Sequence, residues 1–218
     1  MWLSMDTSRD ELLPLLADRV SASSFDPDHV LDPSSLDLLL QAAGTAPSAG
    51  NSQPWSFIVG HRGDWVHDRL VDSLAGSTRA WAPAASVLIA NLAQVHVEDS
   101  DLEYSEFSRY DLGQAVAHLT VQAAALGLSV HQFRGFDRSA VADAFDVAPH
   151  WEVTSMAAVG VAFGATPRVA PTGHASSTPE RRSLTAITWA RAAPGSAGAS
   201  GAPGRTRRAA PTRGRPTA

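Results

Sequence analysis

The chain has 218 residues, 44% hydrophobic and 18% charged, which suits one globular domain with a sizeable core. It contains no cysteine, which excludes disulfides, thiolate nucleophiles and Cys-ligated metal sites. All 17 basic residues are arginines, and the formal charge of −5 is unevenly spread: residues 1–190 hold 11 arginines and all 22 acids, a balance of −11.

Residues 1–9 mix acidic and apolar side chains, unlike a secretory leader. No apolar run approaches the roughly 20 residues needed to span a bilayer. The cytoplasm is therefore the expected compartment and a membrane is not an expected partner. Asp32 is placed to cap a helix with Pro33 in its first turn, and Leu36, Leu39, Leu40 and Ala43 recur on one helical face. Pro47 disfavours helix in the residue before it. A small, polar loop follows, Ser48-Ala49-Gly50-Asn51-Ser52-Gln53-Pro54, in which glycine permits close backbone approach to a ligand. Asn51 and Gln53 add amide donors and acceptors suited to a heterocycle. The alternative for such a loop is a turn that satisfies only itself.

Trp55-Ser56-Phe57-Ile58-Val59 reads as a buried strand, and residues 85–90 as a short apolar strand. Leu112, Ala115, Val116, Leu119, Ala123 and Leu126 form a helical stripe ending at Gly127, a C-terminal cap. Gly113 and the alanines of that helix favour close packing against a neighbour. Residues 129–133 read as a strand, Asp137 caps a helix running through Phe145, and residues 153–163 form an apolar strand. Strands separated by helices imply a mixed α/β or α+β layer fold. Beyond Arg191 the chain is Ala, Gly, Pro, Arg, Ser and Thr with almost nothing to bury. The expected organisation is one domain over residues 1–190 and a disordered, solvated tail over 191–218. No aromatics interleave with the tail's arginines, so nucleic acid is not an expected partner.

Several chemistries have no matching pattern. There is no Gly-x-Gly-x-x-Gly, P-loop or Gly-x-Ser-x-Gly, and the histidines are scattered without metal-ligand spacing. What remains are residues fit to hold a ligand rather than to attack one, as expected where a cofactor carries the reaction. Arg19 offers a planar fork matched to a phosphate monoester, with Ser21 and Ser23 adding hydroxyls. A surface ion pair with Asp18 or Asp26 is the alternative for Arg19. Arg181 and Arg182 form a second basic pair.

In order, the run Ala46-Pro47-Ser48-Ala49-Gly50-Asn51-Ser52-Gln53-Pro54-Trp55 resembles the APSxxNxQPW loop of the nitroreductase family of FMN-dependent flavoproteins. The resemblance takes in Arg19-Val20-Ser21-Ala22-Ser23-Ser24-Phe25 upstream. Downstream it takes in Tyr110-Asp111-Leu112-Gly113-Gln114-Ala115, Gly127-Leu128, Arg134-Gly135-Phe136-Asp137 and Arg181-Arg182-Ser183-Leu184. Together these span residues 8–188 in the family's order. The resemblance implies an α+β fold, a central mostly antiparallel sheet flanked by helices, and two intertwined chains forming a homodimer.

It also implies FMN as cofactor. Arg19, Ser21 and one of Arg181 and Arg182 would hold the phosphate, with Ser23 in the same segment where most members carry Arg or Lys. Pro47, Ser48, Asn51 and Gln53 would lie near the ring and ribityl chain, reaching across the dimer. The backbone at Arg134-Gly135 would lie against the ring and donate to N5; Arg134 replaces an acidic residue of several members. The implied reaction is ping-pong hydride transfer from NAD(P)H through the flavin to a small electron-poor acceptor, a nitroaromatic, quinone or similar compound. The alternative is a protein that binds or sequesters FMN with little or no turnover.

Overall fold

The computed structural model describes residues 12–163 and 181–190; the chain divides into two units, Met1–Pro179 and Glu180–Ala218. The tail expected over residues 191–218 lies outside the described residues. In the first unit the elements run α1 (Pro14–Ala17), α2 (Pro33–Gly44), β1 (Trp55–His61), α3 (Trp65–Asp72), α4 (Gly76–Arg79), β2 (Val87–Gln94), α5 (Ser108–Ala125), β3 (Ser129–Phe133), α6 (Arg138–Ala144) and β4 (Trp151–Gly160). The second unit contributes α7 (Leu184–Ile187), capped by Ser183, whose side chain accepts from the Ala186 amide.

Local chemistry sets most helix ends. Asp32 caps α2 by accepting from the Ser35 amide, and hydroxyls of Ser34 and Ser35 also bond to it. Those side-chain bonds, led by Ser34, hold its carboxyl down to about 2. Asp137 caps α6 through the Ala140 amide. Gly127, at φ +74°, takes the left-handed turn that closes α5. Helix α5 begins at Ser108, four residues before the apolar stripe that marks it in the sequence.

The sheet is wholly antiparallel in the order β1-β2-β4-β3. Alternate residues of its strands face opposite layers. On one side Val87, Ile89, Ala157 and Val159 pack with Leu36, Leu39 and Ala43 of α2 and Ala115, Leu119 and Ala123 of α5. On the other side Leu88, Ala90, Met156 and Ala158 pack with Leu70 of α3 and Val141 of α6. The central strands are therefore buried on both faces. Strand β1 is not the buried strand that its apolar run suggests: Trp55, Phe57, Ile58 and Val59 are half-buried and Gly60 alone is buried. It forms a sheet edge, with one flank unpaired within the chain. β2 lies later than expected, and β4 starts earlier and ends before Phe163, after which Ala162 bridges only to Phe25.

Helix α3 lies close against β1. Asp64 caps it, its two oxygens accepting from the amides of His67 and His61. His67 is only 4% exposed, and its Nε2 has no hydrogen-bond partner among the described residues. Burial pushes its pKa below the ordinary histidine value, against the pull of Asp68 and Asp64. The neutral ring is the folded form, so its contribution to stability is intact above about pH 6.5 and is lost as pH falls toward the depressed folded value. Urea midpoints are expected to fall between pH 7.5 and 5.5, and His67→Asn should flatten that slope. An unchanged slope in the variant would assign the pH dependence elsewhere.

Candidate functional site

The loop from α2 to β1 is conformationally unusual. Gly50, Asn51 and Gln53 have φ of +60°, +57° and +47°, so three of four consecutive residues are left-handed. Glycine and asparagine adopt this region readily, whereas glutamine does so at a cost. Several bonds hold the shape. The Ser48 hydroxyl accepts from the Gln53 amide at 3.0 Å, and the Gln53 side-chain amide donates to Asn51 Oδ1 at 3.3 Å. Tyr104 donates to the Ser52 carbonyl at 3.3 Å. Strain maintained by its surroundings in this way is characteristic of ligand-binding loops. Asn51 and Gln53 remain exposed, as does Pro47, while Ser48 is half-buried.

Asp111 organises this loop from below, a role that sequence reasoning missed. It sits in the first turn of α5, 2% exposed, and its Oδ2 accepts from the Ala49 amide at 2.9 Å. Its Oδ1 accepts from Gln114 at 3.3 Å. Between Pro47–Ala49 and the Phe107, Tyr110, Asp111 and Gln114 face of α5 lies an open cleft of about 280 Å³. The burial of Asp111 and its partner 62 positions earlier are properties of the fold, and no local pattern in the sequence signals them.

A second cleft, of about 330 Å³, opens at the other end of α5, lined by Leu15, Arg19, Val20, Thr120, Gly127 and Ser129 among others. Arg19 Nη1 lies 3.4 Å from the Ser21 hydroxyl, which brings that expected pair together; Ser21 and Ser23 are exposed. The segment is anchored just beyond. His131 of β3 donates from Nδ1 to the Ala22 carbonyl at 2.7 Å, Phe25 is buried, and the Asp26 amide donates to Val161 at 2.9 Å. The Nδ1 proton on His131 follows from its partner being a carbonyl oxygen.

Arg134 and Gly135 leave the far end of β3. Arg134 is exposed, and the Gly135 carbonyl accepts from the Ala75 amide at 2.8 Å and from the Thr78 hydroxyl. A Cβ at position 135 would lie 2.5 Å from Thr78 Cγ2, so packing alone demands glycine here. Arg79 spends its guanidinium on the carbonyls of Leu74 and Asp72. Arg181 and Arg182 belong to the second unit, where Arg182 donates to the Ala186 carbonyl.

The expected site residues of the first unit thus fall into two sets. Arg19, Ser21, Ser23, Arg134 and Gly135 follow the β3 edge of the sheet, while Pro47, Ser48, Asn51 and Gln53 precede β1 on the opposite edge. Three strand spacings, about 15 Å, separate those edges. About 20 Å of helix separates Tyr110 at one cleft from Ala124 at the other. A single chain does not bring the two sets together.

Comparison with known proteins places this fold. The family model described as "Nitroreductase family" matches residues 16–92. A solved oxidoreductase containing FMN is 30% identical and superposes with a TM-score of 0.65, covering 69% of this chain and 76% of that one. A nitroreductase-like protein from Streptococcus mutans, 22% identical, shares the fold at a TM-score of 0.65 over 85% of this chain and 100% of its own. Protein DrgA of Synechocystis is 26% identical over 168 residues, covering 65% of this chain and 80% of the relative. The chain belongs to the nitroreductase family. Among the described residues no helix is long and apolar enough to cross a membrane.

Proposed function

We propose that the protein is a cytoplasmic, homodimeric flavin oxidoreductase that binds FMN and passes electrons from NAD(P)H to a small electron-poor acceptor. The observation that carries this reading is the division of the site between opposite sheet edges of a nitroreductase-family chain. A second copy presenting its Pro47–Gln53 loop to the β3 edge of the first would complete the site. Small residues on the exposed side of α5, Gly113 and Ala117, leave room for such an approach.

The residues present fit FMN. Arg19 and Ser21 form one monoester-sized donor set, and Asn51 and Gln53 offer exposed amides to a ring that alternates donors and acceptors. FMN, when bound, supplies hydride acceptance from NAD(P)H and two-electron delivery to the next substrate. The work of the chain is to hold, orient and admit. For a nitroaromatic acceptor the net turnover consumes NAD(P)H and one proton and yields NAD(P)⁺, the nitroso compound and water.

The purified protein is expected to be yellow, to release FMN rather than FAD on heating, and to bleach on anaerobic addition of NADH or NADPH. Flavin bands that persist would identify a protein that holds FMN without turnover, and a colourless protein that takes up no FMN would end the reading. Sedimentation should show a dimer at micromolar concentration. Arg19→Ala is expected to raise the FMN dissociation constant by one to two decades, from a charge-assisted phosphate contact of about 1.5–3 kcal/mol. An unchanged constant in that variant would move the phosphate elsewhere.

A further inference from the structure

Between the end of α1 and Phe25 the chain carries Arg19, Ser21 and Ser23 with little to hold it. Helix α1 buries none of its residues. Arg19 lines the cleft of about 330 Å³, and among the described residues it forms no ion pair with Asp18 or Asp26. Firm attachment begins at Ser24, whose carbonyl accepts from the Phe163 amide at 3.0 Å, and continues at Asp26, whose amide donates to Val161. Among the described residues, a single hydrogen bond ties residues 19–23 to another element. It is the 2.7 Å bond from His131 Nδ1 to the Ala22 carbonyl.

The donor is itself held. Val130 packs in the α5 layer, so His131 stands on the opposite face of β3. There its ring stacks on Trp81, with 4.4 Å between centroids and 23° between planes. Phe133 meets the same indole edge-on at 5.2 Å, and Phe25 stacks on it at 6.2 Å. A ring packed in this way cannot swing freely, so its N–H is aimed at Ala22 before any ligand arrives. We propose that His131 is a positioning residue: its bond to Ala22 sets where the Arg19 guanidinium stands at the cleft, and the Trp81 stack sets the angle of the imidazole. The proposal rests on the flavin reading above, in which Arg19 takes the phosphate. Three residues reach about 10 Å when extended, so losing this bond moves the nearest fixed point still farther from Arg19, to Ser24. A donor held in place beforehand gives up less freedom on binding.

The test separates the donor from the ring. His131→Phe keeps an aromatic ring on Trp81 and loses the N–H, whereas His131→Asn loses the ring and keeps an amide N–H where Nδ1 stands. In FMN titrations His131→Phe is expected to raise the dissociation constant about three- to tenfold, the worth of one hydrogen bond to a neutral carbonyl. His131→Asn should recover most of that loss. In an Arg19→Ala background His131→Phe should add nothing, because its effect passes through Arg19. Limited digestion of the flavin-free chain reads the brace without any ligand. Trypsin should cut after Arg19 faster in His131→Phe, while cutting after Arg69 of α3 keeps its wild-type rate.

Additive losses in the double variant would overturn the proposal, since His131 would then act on the fold at large. So would a His131→Asn protein as weak as His131→Phe, which would assign the effect to ring packing. An unchanged rate of cutting after Arg19 in His131→Phe would remove the brace and leave the flavin reading standing. If the wild type takes up no FMN, the flavin reading fails, and titration of the same variants with inorganic phosphate decides whether His131 still positions an anion site. A wild type that binds neither FMN nor phosphate would overturn both.

Discussion

Asp111→Ala is expected to weaken FMN binding by one to two decades and to lower thermal stability, although its carboxyl lies beneath the loop rather than among its exposed amides. The carboxyl is the acceptor for the Ala49 amide and the partner of Gln114. Deleting it strands a partly buried donor, a loss of about 1–3 kcal/mol. The same deletion frees a loop whose left-handed Gly50, Asn51 and Gln53 persist only while their surroundings hold them. Asp111→Asn keeps an oxygen for Ala49 and should recover part of both losses. FMN titration and thermal melts of the two variants check this. Equal, wild-type flavin affinity in both would show that the loop shapes itself without α5.

Gly60→Ala is expected to be the most destabilising single-methyl addition in the described chain. A Cβ there would sit 2.6 Å from the His67 Cα and 2.9 Å from the Val66 carbonyl carbon, backbone atoms that cannot rotate away. Overpacking of this kind costs about 1–3 kcal/mol, and at this size each kcal/mol lowers Tm by about 2–4 °C. The damage should fall on the β1–α3 contact and leave the Arg19 segment intact. A calorimetric scan reads it, and a melting point within 1 °C of wild type, on the order of the measurement error, would show that α3 slides away freely.

Much of the fold was legible where its cause is local. Asp32, Asp137 and Gly127 carry their capping chemistry in the side chain or its absence, and each does in the structure what its type suggests. Asp64 is a cap of the same kind at the start of α3, a helix that the sequence reading did not assign. Strand β1 was read as buried because Trp55, Phe57, Ile58 and Val59 are apolar, yet apolarity does not tell a central strand from an edge. The binding loop was legible from its small and polar residues. Asp111 was not, since nothing within α5 reveals that Ala49, 62 positions earlier, donates to it. The division of the site between two edges depends on strand order, which no local pattern encodes.

The strand order also bears on how the chain acquires its structure during synthesis. β3 and β4 are neighbours in sequence, and β1 and β2 are separated by two short helices, so each outer pairing closes a modest loop. The central pairing joins Val87 to Val159 and Gln94 to Trp151, across most of the remaining domain. Loop closure over that span comes late and slows folding relative to local pairings. Until β4 leaves the ribosome, the apolar segment Val87-Leu88-Ile89-Ala90 has one open hydrogen-bonding flank, although α5, which packs on one of its faces, is made earlier. At about 5–20 residues per second, that interval lasts several seconds. The nascent chain is most exposed to aggregation during those seconds.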